Sequence, residues 1–219
     1  GTFKKTLMDA STRLQKAKAD FKDDLMTSLN DFNDGVKEAR ESFLKTAPFT
    51  ADVNSEDAFE MIADFKAKCL AIRKTEGEMA SGLAIFSIEP PSNKETTAIE
   101  KDLETLEAIW SMLREWNQSM EEWKFGKFSN MNIEVIETSA QQYGKRVHKL
   151  KKEIKGWKVL DSLSEQIEGI KKLMPLIADL RNPAMRERHW TQLMEEVGHN
   201  FDPHADSFTL EKVLELVLK

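Results

Sequence analysis

Apolar residues recur at helical spacing along most of the chain. Over residues 2–46 they step alternately by four and three positions, which is the heptad spacing of a helix with one apolar seam. The seam begins with Phe3, Leu7, Ala10, Leu14, Ala17 and Phe21. Two successive steps of four then lead to Leu25 and Leu29, and such a stutter locally relaxes left-handed supercoiling. The pattern predicts one long first helix that ends at Ala47-Pro48.

The second and third segments also show a helical stripe between clear boundary signals. Asn54 or Ser55 is expected to start the second helix. The pair Pro90-Pro91 must end it, because proline disfavours a helical conformation in the residue before it. A capping-box arrangement, Ser92-x-x-Glu95, predicts the start of the third helix. That helix carries tryptophans at core spacing, which favours a buried core over a ligand platform. They are Trp110, Trp116 and Trp123.

Shorter helices complete the predicted architecture. The fourth shows an unbroken alternation of apolar residues from Ile133 to Trp157, and the fifth follows Gly156. Pro175 must kink or end the fifth helix, because proline lacks a backbone N–H and its ring collides with the preceding turn. A short last helix starts near Phe208. The sequence therefore predicts an all-α fold, an elongated antiparallel bundle of long amphipathic helices.

The composition agrees with that fold and narrows the classes of function. Charged residues make up 32% of the 219 residues and hydrophobic residues 40%, a mixture typical of long solvated helices. A net charge of −6 argues against general nucleic-acid binding. Apolar runs stay well short of the roughly 20 residues that a membrane span requires. Since the chain starts at Gly1 and shows no secretory leader, we expect an intracellular piece of a longer protein.

Three polar or reactive features need an interpretation. The single cysteine, Cys69, fits a reducing compartment and lies on an apolar stripe, so we interpret it as a core residue and not as a nucleophile. The stretch from Lys145 to Lys158 carries seven cations and one acid, which is either a solvated face or a contact for an acidic partner. The histidines and aspartates of residues 199–206 do not favour a metal site, because Pro203 interrupts any helix that would bring them together.

The most distinctive run extends from Leu180 to Trp190 and places three arginines, a histidine and a tryptophan around one proline. Pro183 suits the first turn of a helix, and Asn182 before it is a good N-cap. From the residues alone, Trp190 is interpreted as a core residue and the arginines as solvated. The candidate packing or interaction residues are Arg181, Asn182, Pro183, Arg186, Arg188, His189 and Trp190.

The segment from Asn182 to Trp190, which reads NPAMRERHW, resembles the N-terminal linker region of dynein heavy chains. The helix before it and the continuation to Gly198 are also similar, whereas the rest of the chain is similar only in its helical character. The turn at Asn182-Pro183-Ala184-Met185 is more similar to axonemal than to cytoplasmic heavy chains. In that family the linker is a curved helical rod over a ring of AAA+ modules, and it bends and straightens as the ring hydrolyses ATP.

The resemblance implies a non-catalytic fragment of a microtubule-based motor. Residues 1–156 would be a tail helical bundle and residues 157–219 the beginning of the linker, which transmits force from the ring to the tail. No cofactor is implied for this fragment, and the sequence contains neither a GxxxxGK[ST] loop nor a GxGxxG motif. Rigid helices that move between two states need a few joints, and the candidate hinges are Gly156, Pro175 and Pro183.

The resemblance also implies partners and a location. The partners would be the rest of the same heavy chain, including its AAA+ ring, and possible additions are a sister heavy chain or intermediate and light chains; neither nucleic acid nor membrane is implied. The expected location is the cytoskeleton of a ciliary or flagellar axoneme. Whether Arg181, Arg186 and Arg188 pack within the linker or touch the ring stays open. The alternative function is a spectrin-like helical-bundle scaffold, although the sequence shows no internal repeat.

Overall fold

The computed structural model describes residues 2–91 and 94–217. Over these ranges the fold is all-α, as predicted, and a 3₁₀ turn at Phe128–Asn130 lies between the third and fourth helices. The helices are α1 Thr2–Thr46, α2 Ser55–Ile85, α3 Lys94–Phe125, α4 Ile133–Glu153, α5 Lys158–Leu180, α6 Glu187–Val197 and α7 Leu210–Val217. The predicted capping box at Ser92 lies outside the described residues. None of the described helices combines the length and the apolar character of a membrane span.

The chain divides into two compact units, and the first comprises residues 1–48 and 56–107. Within it, α1 and α2 run antiparallel, because Phe43 meets Phe65 at 5.1 Å between ring centroids while Phe21 meets Phe86 at 5.8 Å. The first part of α3 joins them through ion pairs. Arg40 on α1 donates to Asp102 at 2.7 Å. This unit is therefore a three-helix bundle.

A polar cluster and a buried thiol mark the contact between α2 and α3. Arg73 donates to Glu100 at 2.6 Å and to Glu76 at 2.9 Å. The hydrogen bond from Arg73 holds the pKa of Glu100 below its usual value. Cys69 is 4% exposed, and burial raises the pKa of its thiol. A buried thiol with a raised pKa is a poor nucleophile, which supports the interpretation of Cys69 as a core residue.

The N-terminal half of α1 is little covered within the first unit, apart from the contact of Phe21 with Phe86. Every described side chain from Phe3 to Asp24 is exposed. The exposed fractions of the large seam residues are Phe3 82%, Leu7 63%, Leu14 71% and Phe21 55%. The predicted seam is thus present on the helix, but burial in the chain begins only further along it, at Leu29 and Val36.

The second unit comprises residues 49–55 and 108–219. Its helices α4 and α5 run antiparallel, with Lys151 paired to Asp161 at 2.8 Å and Gly144 packed against Ile167 and Lys171. Trp116 is fully buried and meets the rings of Trp123 and Tyr143 edge to face. Trp110 is also buried, whereas Trp123 is half-buried. Trp110 and Trp116 are therefore core residues, as the sequence predicts, whereas Trp123 lies at the edge of the core.

The boundary between α4 and α5 differs from the prediction. The fourth helix ends at Glu153, and not at Trp157, because Ile154 is extended and Gly156 has a φ of 84°. Trp157 instead caps α5 and packs its ring 4.8 Å from that of Phe49. Pro175 lies inside α5, which continues to Leu180, so the expectation that Pro175 could end the helix is wrong.

Candidate packing and interaction site

The run that begins at Arg181 leaves α5 through a tight turn. The side-chain Oδ1 of Asn182 accepts a hydrogen bond from the backbone N–H of Ala184 at 2.9 Å, and its carbonyl accepts one from Met185 at 2.9 Å. An asparagine that bonds its own backbone two residues ahead forms an Asx-turn, and Pro183 fixes φ at the second position of the turn. The prediction that Asn182 caps the next helix is therefore wrong, because its oxygen is used inside the turn.

Helix α6 begins four residues later than predicted, and its cap is built from a histidine. Arg186 is the N-cap, with extended backbone angles. Its backbone N–H donates to Nδ1 of His189 at 3.0 Å, which is the side-chain half of a capping box. A neutral imidazole has one unprotonated nitrogen, so Nε2 of His189 carries the hydrogen and its 3.2 Å approach to Nε of Arg188 is a contact and not a hydrogen bond.

Arg181 fastens the end of α5 to the turn between α3 and α4. It is the C-cap of α5, and its own N–H donates to the carbonyl of Ile177 at 3.1 Å. Its guanidinium donates to the carbonyl oxygens of Ser129 and Met131, the latter at 3.3 Å. Because one planar guanidinium donates to two carbonyl oxygens, it fixes both the distance and the orientation of the turn relative to the end of α5. Among the seven candidates, Arg181 is the arginine that packs within the unit.

Trp190 is buried, with 6% of its surface exposed, and it anchors a cluster of aromatic side chains. Its ring meets Phe201 at 6.2 Å and Phe208 at 5.9 Å, both edge to face. Phe208 in turn stacks on Phe201 at 5.1 Å and meets Phe128 edge to face at 5.4 Å. The cluster joins α6, the 3₁₀ turn and the segment before α7. The burial of Trp190 agrees with its interpretation as a core residue.

Backbone and ionic contacts tie the same segments at the edge of the cluster. The N–H of Phe128 donates to the carbonyl of Phe208 at 2.9 Å, and Lys127 pairs with Asp206 at 2.6 Å. The hydrogen bond from Lys127 lowers the pKa of the Asp206 carboxyl, although this group is fully exposed. His204 contacts Glu187 at 3.0 Å. In the described part of the chain no three His, Cys, Asp or Glu side chains are grouped as a metal site would require.

The remaining candidates lie at the surface. Asn182, Pro183, Arg186 and Arg188 are exposed, and His189 is half-buried. Of the candidate hinges, Gly156 lies between α4 and α5 with a φ of 84°, Pro183 lies in the Asx-turn, and Pro175 lies inside a continuous helix. The cations of the basic stretch are exposed, and Lys151 pairs with Asp161. That the exposed arginines or the basic stretch contact a partner stays a prediction.

The arrangement holds separate segments of the second unit against one another. The guanidinium of Arg181 joins the end of α5 to the turn after α3, and the imidazole of His189 caps α6. The aromatic cluster around Trp190 joins α6 to the same turn and to the segment before α7. The residues that the sequence analysis did not identify are Phe128, Phe201 and Phe208. Each lies in a segment assigned to a turn, to irregular structure or to a helix start, where periodicity reports nothing about contacts between distant segments.

The comparisons with known proteins all identify the same family. Residues 96–219 match the family described as "Dynein heavy chain, N-terminal region 2". The chain is 39% identical over 217 residues to "Dynein axonemal heavy chain 2" of Mus musculus, covering 98% of this chain and 5% of that protein. It is 38% identical over 216 residues to "Dynein-1-beta heavy chain, flagellar inner arm I1 complex" of Chlamydomonas reinhardtii, covering 99% and 5%. It is 30% identical over 181 residues to "Dynein axonemal heavy chain 9" of Homo sapiens, covering 81% and 4%. The chain thus spans only 4–5% of the length of these relatives.

Proposed function

The chain belongs to the dynein heavy-chain family, and from that premise we propose that its residues join the tail of an axonemal heavy chain to the linker and transmit force between them. The parent protein would be a microtubule motor of a cilium or flagellum. We keep the predicted division into a tail bundle, residues 1–156, and the beginning of the linker, residues 157–219, as part of this proposal. The comparisons favour this family over a spectrin-like scaffold.

The contacts of Arg181 carry the proposal. A segment that transmits force must resist displacement at the points where one helix passes its load to the next. Arg181 closes α5 and also bonds two carbonyls of the turn after α3, so a load on α5 reaches that turn through hydrogen bonds to a charged donor. The aromatic cluster around Trp190 adds a second attachment, between α6 and the same turn. Both attachments join segments that are distant in the sequence.

We propose further that the fragment itself binds no nucleotide and that ATP hydrolysis belongs to parts of the heavy chain outside these residues. Its sequence lacks the glycine-rich loop that cradles phosphates. Titration calorimetry of the 219-residue chain with MgATP is expected to give no binding heat. Saturable binding at micromolar ATP would contradict this part of the proposal.

The proposed partners follow from the same family membership. They are the AAA+ ring and the remainder of the linker in the same heavy chain, and then a sister heavy chain or intermediate and light chains. The exposed arginines Arg186 and Arg188 are candidates for contact with the ring. The exposed cations between Lys145 and Lys158 are candidates for an acidic partner or the microtubule lattice.

The test is a change of Arg181 in a full-length heavy chain. Arg181→Ala removes both bonds to the turn, so we expect ATP hydrolysis to stay within about twofold of the unchanged motor while the velocity of microtubule gliding falls severalfold. Arg181→Lys should also reduce velocity, since a lysine cannot span two carbonyls with one planar group.

Lys172→Ala is the matched control. It also removes one positive charge from α5, but Lys172 is exposed and belongs to none of the proposed contact surfaces, so the velocity of this variant should stay close to that of the unchanged motor. Equal velocities for Arg181→Ala and Lys172→Ala would refute the role of Arg181. A parallel loss of ATP hydrolysis and velocity would place the defect in the ring.

A further inference from the structure

The basic stretch from Lys145 to Lys158 carries an inference that deepens the proposed function and rests on it, because these cations are already candidates for contact with a partner. The stretch has seven cations and one acid, which gives it a net charge of +6. The whole chain has a net charge of −6, so its other residues together carry −12. We propose that the exposed lysines of this stretch bind an extended segment, rich in glutamate and aspartate, of a separate polypeptide.

Two of the seven cations are already used inside the second unit. Arg146 lies 3.9 Å from Glu115 and over the ring of Tyr143, and Lys151 pairs with Asp161 at 2.8 Å. The other five side chains are exposed, and no acid of the described residues lies within ion-pair distance of them. These free lysines are Lys145, Lys149, Lys152, Lys155 and Lys158.

Three of the free lysines share one face of α4. Lys145, Lys149 and Lys152 follow one another at steps of four and three residues, so they lie within about 60° around the helix axis. At about 1.5 Å per residue they span about 10 Å along the helix. An extended peptide rises by about 3.3 Å per residue, so about three or four of its residues cover this face. One short acidic segment can therefore meet all three ammonium groups.

The stability of the fold does not account for this arrangement of charge. Like charges four residues apart destabilise a helix, and Lys145 and Lys149 have that spacing. Lys158 is the first residue of α5, where the positive end of the helix dipole disfavours a cation, and Trp157 before it provides no side-chain cap. Lys152, in the last turn of α4, is placed favourably. A bound anionic segment would relieve the repulsion among the others.

The side chains of the stretch favour a peptide over a nucleic acid or a membrane surface. All five free cations are lysines, whereas the planar group of arginine is the one that binds phosphates in a bidentate manner. The charge of −12 on the other residues repels a long polyanion that extends beyond the lysines. The apolar face of α4 is used in the core, with Ile136, Ala140 and Val147 buried, and so cannot enter a lipid surface.

The exposure of the free lysines favours a separate polypeptide over a permanent contact within the fold. The ion pairs that hold helices together in the first unit use partly buried arginines, and the side chains of Arg40 and Arg73 are 19% and 29% exposed. Hydrated lysines on flexible stems act instead on the encounter with a charged partner, and such a contact forms and breaks readily.

The experiment is fluorescence anisotropy of a labelled hexaglutamate peptide titrated with the 219-residue chain. The unchanged chain should bind the peptide saturably. Because exposed charge pairs are screened by salt, the affinity should fall severalfold between about 50 and about 200 mM salt. A labelled six-nucleotide oligothymidylate is the second probe and should bind more weakly than the peptide.

A triple variant tests the face of α4. Lys145→Gln, Lys149→Gln and Lys152→Gln together should weaken peptide binding about tenfold, because three charge pairs are lost. The matched control removes three charges from exposed lysines of α1, through Lys4→Gln, Lys5→Gln and Lys16→Gln, and should bind within about twofold of the unchanged chain. The α4 variant should melt at the same temperature as the unchanged chain or higher, because it removes repulsion between like charges.

Each alternative result overturns a stated part of the inference. Absence of peptide binding, or equal binding by the α4 variant and its control, would exclude the free lysines as the site. Tighter binding of the oligothymidylate would replace the peptide by a nucleic acid. An α4 variant less stable than the unchanged chain would show that the lysines serve the fold. A full-length heavy chain that fails to bind the peptide would show that another part of the same chain covers them. None of these results affects the transmission of force, which the Arg181 variants test separately.

Discussion

Replacement of Trp190 by alanine is the most informative single perturbation of the second unit. Trp190 is 6% exposed and contacts two phenylalanines, each from a different part of the segment before α7. Its removal leaves a cavity between α6 and that segment. Phe208, which contacts both Trp190 and Phe128, then loses one of its aromatic partners.

The expected cost follows from burial. An aromatic side chain of this size removes about 150–250 Å² from water, and most of that area is lost in an alanine variant. At about 25 cal/mol per Å² this gives about 4 kcal/mol. The usual range for a buried tryptophan changed to alanine is about 3–5 kcal/mol. For a unit of this size such a loss lowers the melting temperature by about 10–20 °C.

Urea unfolding followed by near-ultraviolet circular dichroism measures the change in the second unit. Phe125→Ala is the matched control, because Phe125 belongs to the same unit but is 63% exposed, and its loss should change stability by less than about 0.5 kcal/mol. A Trp190→Ala variant as stable as the Phe125→Ala variant would refute the packing role of the cluster. A double-mutant cycle with Phe208→Ala should show coupling of about 1 kcal/mol.

Two further predictions concern a pH dependence and a joint. Glu100→Gln should destabilise the first unit by up to about 1 kcal/mol near neutral pH, the upper range for a partly exposed ion pair. Because Arg73 lowers the pKa of Glu100 in the folded state, its stabilisation is present above the usual carboxyl pKa and is lost as the pH falls through the lowered one. Unfolding curves of both proteins across the acid range should therefore converge, and a constant difference would contradict the ion-pair explanation. Gly156→Ala should cost about 1 kcal/mol, because its φ of 84° disfavours a side chain, whereas Gly169→Ala in the open helical face of α5 should stabilise by about 0.5–1 kcal/mol. Equal thermal shifts for the two glycine variants would show that Gly156 is not strained by a side chain.

Periodicity predicted the helices well, because each helix carries its own stripe of apolar residues. It failed where that stripe continued across a break. Ile154 and Trp157 keep the spacing of α4, yet both lie in the connection around Gly156, and a seam can remain in phase after the backbone has left the helix. The spacing of apolar residues therefore shows which side of a helix is buried. It does not show where the helix ends, because that depends on the backbone conformation of the residues at the boundary.

The candidate site shows the same limit at the level of side chains. Asn182 is a favourable N-cap residue, but the same oxygen that could cap a helix also closes an Asx-turn, and the turn prevails here. Trp190 was identified because a tryptophan on a short helix needs a core. Its neighbours Phe201 and Phe208 were not, because contacts between segments of different conformation leave no regular spacing in the sequence.

The position of Cys69 has a practical consequence for the study of motion in this chain. It is the one thiol in the sequence, and it lies buried in the first unit. A thiol reagent can react only when that bundle opens, so the rate of labelling reports the opening free energy of the first unit alone. Unfolding of the second unit, followed through its tryptophans, gives an independent signal. A single unmodified protein therefore contains separate reporters for the stability of its two parts.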